Sequence, residues 1–408
     1  MLTGEFMKVY IGNDGCVEGQ LSSTYLLRFL KANQLIIAED PSDADLVFFY
    51  ACGLTQSREE QSKKLIFELR KSMKSTARLV VWGCLPKINP SSLRKVYDGP
   101  LIGPNDVSFF NNLIQSNLTQ FDSMQISGDA NRLVSCSTSG DQYADAITNT
   151  IIMFEQNWTR LWERVRKNTK FIIRVAKGCT GSCTYCSERC VFGSVRSRDL
   201  SSVISDFGVG LKQGYRLFSL MATDLGAYGK DIGYNLADLL RKIISTYREQ
   251  EYQIVLNQVN PFHLRNLYSD LESIFETGRI YSLCSPVQSG SDRLLRLMRR
   301  PHTAEEWRTH MLSIRKKFPK IRLLTQFMVG FPTETEEDFH ATEKLLDYPA
   351  WFDYVHIFKF SSRPHVYASL MKGQVPEDVK ERRKRKLLQR YAVTRTLNIL
   401  TKGVNGIF

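Results

Sequence analysis

Three cysteines stand in one short loop, Cys179, Cys183 and Cys186, at the spacing C-x-x-x-C-x-x-C. The loop follows an apolar run, Phe171 to Ala176, and a glycine, Gly178, so the thiols are expected to leave the end of a strand. Three converging thiolates are soft donors suited to an iron–sulfur cluster. A four-iron cluster held by three cysteines keeps one iron open to a substrate, whereas a closed zinc site wants a fourth protein ligand. Cys190 with His263 or His302 would complete such a zinc site. Zinc sites, however, are usually built from paired C-x-x-C or C/H units at other spacings. Buried inert cysteines are the third reading, and Gly178, Gly181 and their polar neighbours describe an accessible loop instead.

A second trio lies upstream. Val9 to Gly12, Leu46 to Ala51 and Leu79 to Trp82 read as strands, and Leu21 to Leu30 and Gln61 to Leu69 carry apolar residues at helical spacing. Strand–helix alternation of this length predicts a parallel sheet with its site beyond the carboxyl ends of the strands. Cys16, Cys52 and Cys84 each fall at such an end. Three thiols on three loops again favour an iron–sulfur cluster with an open iron; three half-buried free cysteines are the plain alternative.

Around the first trio, strands are expected at Phe171 to Val175, Leu217 to Met221, Ile254 to Asn257, Ile280 to Leu283, Ile321 to Phe327 and Tyr354 to Phe358. Helices fall between them: Leu236, Leu239, Leu240, Ile243 and Ile244 form one stripe, and Thr303 with Glu306 reads as a capping box. The pattern leaves a doubly wound sheet and a partial barrel both open. Polar strings gather after the strands: Thr223-Asp224, Gln258 with Asn260, Gln288-Ser289, and Gly330 to Glu334. These are positions where a parallel α/β fold holds a cofactor.

The chain has 408 residues, which suggests two or three domains. No apolar run approaches a membrane span and the start lacks a signal-peptide core, so a cytoplasmic protein without a membrane partner is expected. A formal charge of +13 favours an anionic partner such as a nucleic acid, although many of the cations would simply solvate helix faces. Nine cysteines, an odd number, argue for metal or redox chemistry over disulfides. Residues 121–168 read as a connector in which Cys136 is a bystander. Trp158 to Lys170 is basic and aromatic, suited to stacking bases or to an amphipathic helix. Pro376 opens a basic helix.

The cysteine loop with Tyr185 before its last cysteine resembles that of radical S-adenosylmethionine (SAM) enzymes. The string from Arg174 to Cys186, with Arg196-Ser-Arg198, resembles the methylthiotransferase family within them. The resemblance runs from about residue 8 to residue 390, and Thr223 to Gly233 looks nearest the branch acting on threonylcarbamoyladenosine in tRNA. It implies a mixed α/β architecture: an N-terminal parallel-sheet domain (1–120), a partial (β/α)6 barrel (169–375) and a C-terminal helical extension (376–408). It also implies two [4Fe–4S] clusters, one on Cys179, Cys183 and Cys186 that chelates SAM, and an auxiliary one on Cys16, Cys52 and Cys84. Tyr185, Thr223, Asp224, Gln258, Asn260, Gln288 and Ser289 are implied to line the SAM pocket, with Gly330 allowing close backbone approach. Arg198 and Arg363 are candidates for substrate contact.

The implied reaction replaces an unactivated C–H by C–SCH3. An electron from a flavodoxin- or ferredoxin-type donor cleaves SAM to a deoxyadenosyl radical, and sulfur on the auxiliary cluster is methylated by another SAM and captured by the substrate radical. Three departures stand out: Val17-Glu18-Gly19-Gln20 after the first cysteine, Tyr50-Ala51 before the second, and Ser362 to Tyr367 where the family shows Arg-Pro-Gly-Thr. A terminal β-barrel (TRAM) domain, usual in members that act on tRNA, is not expected after the helix. A peptide, protein or small natural product is therefore the alternative substrate to tRNA. From another class, a zinc-stabilised RNA-binding protein without catalysis is the rival.

Overall fold

The computed structural model describes residues 7–114, 121, 127–129, 170–347 and 352–402, with side chains to 397. Cys136 and the basic aromatic stretch from Trp158 to Lys167 lie outside the described residues. Two compact units result. One takes the described residues before 142 together with 187–193 and 361–365, and the other takes the rest.

The first unit is built on a parallel sheet. Its strands are β1 (Lys8–Asn13), β2 (Ile36–Ile37), β3 (Leu46–Ala51), β4 (Arg78–Gly83) and β5 (Leu101–Ile102), in the order β2-β1-β3-β4-β5. The chain steps outward from β1 to β2 and then returns past β1 to β3. With right-handed crossovers that reversal places helices on both faces. The packing shows it: Val9, Phe48 and Tyr50 pack with Leu26 and Phe29 of the helix Val17–Ala32. The alternate residues Val47 and Phe49 pack with Leu65 and Ile66 of the helix Gln56–Ser72. Covered on both sides, β3 is buried at all six positions, which is why its sequence is one apolar run.

In the second unit β6 (Lys170–Arg174), β9 (Leu217–Met221), β10 (Gln253–Leu256), β11 (Ile280–Cys284), β12 (Arg322–Val329) and β13 (Tyr354–Lys359) pair in parallel and in sequence order. Between β6 and β9, the two-residue strands β7 (Ala176–Lys177) and β8 (Arg196–Ser197) pair antiparallel across the cysteine loop. An order that never reverses keeps every right-handed crossover helix on one face. This is a singly wound sheet, the geometry of a barrel segment, and it settles what periodicity leaves open. The Thr303 and Glu306 side chains each bond the other's backbone N–H, closing the capping box at the helix Ala304–Lys317.

The C-terminal helix, Glu377–Lys402, starts directly after Pro376 and buries Leu387 and Tyr391. Its cations are largely spent within the unit. Lys380 Nζ donates to the Phe360 carbonyl at 3.1 Å, Arg383 pairs with Glu334 at 2.8 Å, and Lys386 pairs with Glu343 at 3.0 Å. No helix among the described residues is long and apolar enough to cross a membrane.

Candidate active site

In the first unit the sheet order reverses between β1 and β3, and such a switch point opens a crevice at the carboxyl ends of the two strands. Cys16 lies beyond β1, Cys52 directly after β3 and Cys84 directly after β4. Gly15 and Gly83 turn the chain there at φ 85° and 109°. A Cβ on Gly83 would stand 2.9 Å from the Tyr50 ring, so only glycine fits. Cys16 caps the helix Val17–Ala32, its Sγ accepting the Gly19 N–H at 3.2 Å. The Tyr50 hydroxyl lies 3.3 Å from Cys84 Sγ.

Cys52 and Cys84 are buried and Cys16 is half-buried. The Cys16 thiol is held well above its ordinary range, first by its hydrogen bond with Cys52 and then by burial and the neighbouring charges of Asp14 and Cys84. Burial, followed by Cys52, does the same to Cys84. Thiols crowded in this way resist ionising together. A bound cation reverses that cost, so the donor set suits a metal centre.

In the second unit the loop of Cys179, Cys183 and Cys186 follows β7, and three neighbouring segments hold it. Gly178 N–H donates to Thr223 Oγ1 at 3.2 Å, beyond β9. Thr184 Oγ1 donates to the Leu297 carbonyl at 2.9 Å. Arg300 Nη1 donates to the Tyr185 hydroxyl at 2.9 Å and lies 3.9 Å from Cys183 Sγ. The other arm of Arg300 reaches Asn260 Oδ1 at 3.4 Å and the Pro286 carbonyl at 2.5 Å, so one guanidinium ties the loop to the ends of β10 and β11.

Asp224 lies beside the loop. Its Oδ1 accepts N–H bonds from Gly226 at 3.1 Å and Asn260 at 3.4 Å, and its Oδ2 is 3.7 Å from Cys179 Sγ. Burial pushes its carboxyl up to about 6, against the pull of those N–H groups and Arg300. Burial also raises the Cys179 thiol to about 12, with Asp224 adding to it. His263 Nε2 is 3.5 Å from Asp224 Oδ2 and 3.1 Å from Thr180 Oγ1. Burial lowers this imidazole to about 4, so at neutral pH it is a neutral hydrogen-bonding group and not an ion-pair partner.

The remaining sequence candidates separate by their surroundings. Gln258, Gln288 and Gly330 adopt φ 56°, 79° and 73°, and the Gln288 backbone pairs with β12, its N–H donating to the Gln326 carbonyl at 2.9 Å and its carbonyl accepting the Met328 N–H at 2.8 Å. The buried Gln288 Oε1 lacks a hydrogen-bond partner among the described residues. Ser289, by contrast, is engaged: its hydroxyl meets Thr342 Oγ1 at 3.2 Å and accepts the Ser291 N–H at 3.1 Å. At Gly330 the close approach is by Lys380, 2.2 Å from where a Cβ would stand. Arg198 is buried, donating to the Arg174 carbonyl at 3.0 Å and to Asp206 at 2.8 Å. Arg363 belongs to the first unit and is buried against Glu59. Among the described residues Asp14, Cys16 and Cys52 are the one group of three metal donors within 4.8 Å of one another; neither Cys179, Cys183 and Cys186 nor Cys190 with His263 or His302 forms such a group.

Two residues beside the thiols escape a reading by motif. Arg300 is one; the other is Asp14, a carboxylate that with Cys16 and Cys52 presents three donor atoms within 4.8 Å of one another. Neither sits in a recognisable string, and burial alone singles them out.

Comparison with known proteins finds one match for each part of the chain. Residues 173–346 match the radical SAM superfamily, and residues 8–100 match uncharacterized protein family UPF0004. A probable threonylcarbamoyladenosine tRNA methylthiotransferase of Pyrococcus abyssi is 31% identical over 377 residues, covering 92% of this chain and 82% of its own. The ribosomal protein uS12 methylthiotransferase RimO of Moorella thermoacetica is 30% identical, covering 94% and 83%. Among solved structures, the radical SAM methyltransferase TsrM of Kitasatospora setae superposes with a TM-score of 0.60 at 13% identity, over 89% of this chain and 77% of that one, a likeness of fold. Identity of this extent, carried across both units to enzymes of one reaction type, means that the chain belongs to the radical SAM methylthiotransferase family.

Proposed function

We propose that this methylthiotransferase carries two [4Fe–4S] clusters and modifies an adenosine derivative in tRNA. Cys179, Cys183 and Cys186 would hold the SAM-binding cluster, and Cys16, Cys52 and Cys84 the auxiliary one. The observation that carries the reading is the placing of Cys16, Cys52 and Cys84 after β1, β3 and β4 at the sheet's switch point, where a parallel α/β fold binds its ligand, with donor atoms of Asp14, Cys16 and Cys52 within 4.8 Å of one another. When bound, the first cluster with SAM supplies hydrogen abstraction from an unreactive C–H bond, and the auxiliary cluster supplies sulfur.

The chain's own residues do the positioning. Arg300 brings a buried positive charge to the Cys183 thiolate and braces Tyr185 and Asn260. Asp224 and Thr223 fix the start of the loop, and Gln258 and Gln288 stand at strand ends where SAM would bind, with Asn260 Oδ1 held by the Phe262 N–H and Arg300. Asp224, His263 and Arg300 are buried beside the loop, whose three cysteines are half-buried. Arg198 and Arg363 already serve Asp206 and Glu59, which favours a bracing role for both. A flavodoxin- or ferredoxin-type protein of the cytoplasm would supply the electron.

For the substrate, relatives named for threonylcarbamoyladenosine in tRNA and the +13 charge favour an RNA. The relative named for ribosomal protein uS12 supports a protein as the second reading. The test is anaerobic turnover of the reconstituted enzyme with SAM and a reductant, on tRNA bearing threonylcarbamoyladenosine and, separately, on ribosomal protein. Mass spectrometry of the digests is expected to find the methylthio group on the nucleoside. Modification confined to the protein would overturn the tRNA reading.

A further inference from the structure

Asp14 follows β1 in the turn that leads to Cys16 and is 1% exposed. Its Oδ1 accepts the Cys16 N–H at 3.3 Å, and its Oδ2 accepts the Cys52 N–H at 3.1 Å and the Ser62 hydroxyl at 3.4 Å. A carboxylate has about four lone-pair sites, so these three bonds fix its direction without filling it. The Arg58 guanidinium is turned to the Asp14 backbone carbonyl, at 3.3 Å, and to Gln61. A buried carboxylate is costly without a cation, and this one stands beside two thiols that are themselves metal donors. One oxygen of Asp14 and the sulfurs of Cys16 and Cys52 all lie within 4.8 Å of one another. Donors that become anionic converge in this way around a positive centre.

We infer that Asp14 is a fourth, exchangeable donor of the first unit's metal centre, completing a three-sulfur, one-oxygen set with Cys16, Cys52 and Cys84. The inference rests on the auxiliary-cluster reading and deepens it. Oxygen is the hard donor in a soft set and is the first to be displaced. An arriving hydrosulfide or thiolate forms the new iron–sulfur bond as the iron–oxygen bond breaks. The carboxylate leaves as an anion, caught by the Cys16 and Cys52 N–H groups and Ser62, and no electron changes hands. Asp14 therefore guards the position that sulfur must occupy.

The test uses the full chain with Cys179, Cys183 and Cys186 all changed to Ala, so that the remaining iron is that of the first unit. Asp14, Asp14→Asn and Asp14→Cys forms are reconstituted anaerobically with iron and sulfide and titrated with methanethiolate under Mössbauer and electron paramagnetic resonance detection. Asp14→Asn keeps an oxygen acceptor for the N–H bonds but is a poorer ligand, and it is expected to bind thiolate at about tenfold lower concentration than Asp14. Asp14→Cys is expected to resist it. Should the Asn form fail to fold by circular dichroism, the Cys form against Asp14 still decides. Equal titration of the folded forms, with iron retained, would overturn the inference and leave the auxiliary-cluster reading standing. Absence of iron from all three would sink both.

Discussion

Changing Arg300 to Met removes a positive charge that is 5% exposed and has Cys183 Sγ 3.9 Å away. Reduction of a cluster on Cys179, Cys183 and Cys186 adds one negative charge next to that guanidinium. Two unit charges about 4 Å apart at an effective dielectric constant of about 20 interact by about 4 kcal/mol. The added electron is spread over a body several ångströms across, so roughly half of this, about 2 kcal/mol, is the expected loss. For a one-electron couple, where about 59 mV corresponds to a tenfold change, the midpoint should fall by roughly 90 mV. Arg300→Lys keeps the charge but not the fork that spans Tyr185, Asn260 and Pro286, so it should lie between the two. The assay is a redox titration followed by electron paramagnetic resonance, in chains whose Cys16, Cys52 and Cys84 are changed to Ala. The Met variant also removes the donor to the Pro286 carbonyl and the Tyr185 hydroxyl and should melt lower, and that loss is read separately by calorimetry. A Met variant that keeps its iron and titrates within about 20 mV of the parent would refute the electrostatic argument.

Other outcomes follow from the same contacts. Cys84→Ala should lose about half of the bound iron, whereas Cys190→Ala and Cys284→Ala should lose none, by iron and sulfide analysis of anaerobically reconstituted protein. Arg383→Gln strands the buried Glu334 carboxylate, which accepts from Arg383 at 2.8 Å and from the Gly330 N–H at 2.6 Å, and should cost about 3–5 kcal/mol in urea unfolding at pH 8, where the parent carboxylate is ionised. Burial raises Glu334 from 4.5 to about 7 even against Arg383 and the Gly330 N–H. The folded chain therefore binds this proton more tightly than the unfolded one, and the associated stability, full below pH 4.5, is lost as pH rises through about 7. Glu334→Gln should flatten that slope in unfolding measured between pH 5 and pH 8.

What the sequence reveals depends on how locally each feature is encoded. The run Leu46–Ala51 is legible because a strand covered on both faces must be apolar at every position, and the stripe from Leu236 to Ile243 because one helical face is buried. Strands β2, β5, β7 and β8 have two residues each, too few for any period to appear. The winding of the second sheet is a property of strand order, which no window of sequence contains. Ser289 is legible only as part of a polar string, and the partner of its hydroxyl, Thr342, lies fifty-three positions away. The basic helix after Pro376 suits an RNA backbone by composition, while Lys380, Arg383 and Lys386 are in fact consumed by Phe360, Glu334 and Glu343.

Asp14 and Arg300 are hidden for the same reason, since each has a neighbour that offers a bland reading. Asn13-Asp14-Gly15 reads as an ordinary turn, and Arg299-Arg300 as a solvated pair; Arg299 is indeed exposed, while Arg300 is buried. The fold buries one beside the thiols of Cys16 and Cys52 and the other beside that of Cys183. Their effects on an electron are opposite. Three thiolates and a neighbouring carboxylate, Asp14 in the first unit and Asp224 in the second, oppose the added charge in both, but Arg300 offsets Asp224, so a cluster in the second unit should accept an electron at a higher potential than one in the first. A donor of limited reducing power would then reduce a cluster in the second unit and leave one in the first oxidised. Stepwise reduction of the intact enzyme, with the two signals assigned in the two cysteine-to-alanine chains, measures that order, and reduction of the first unit's cluster ahead of the other would contradict it.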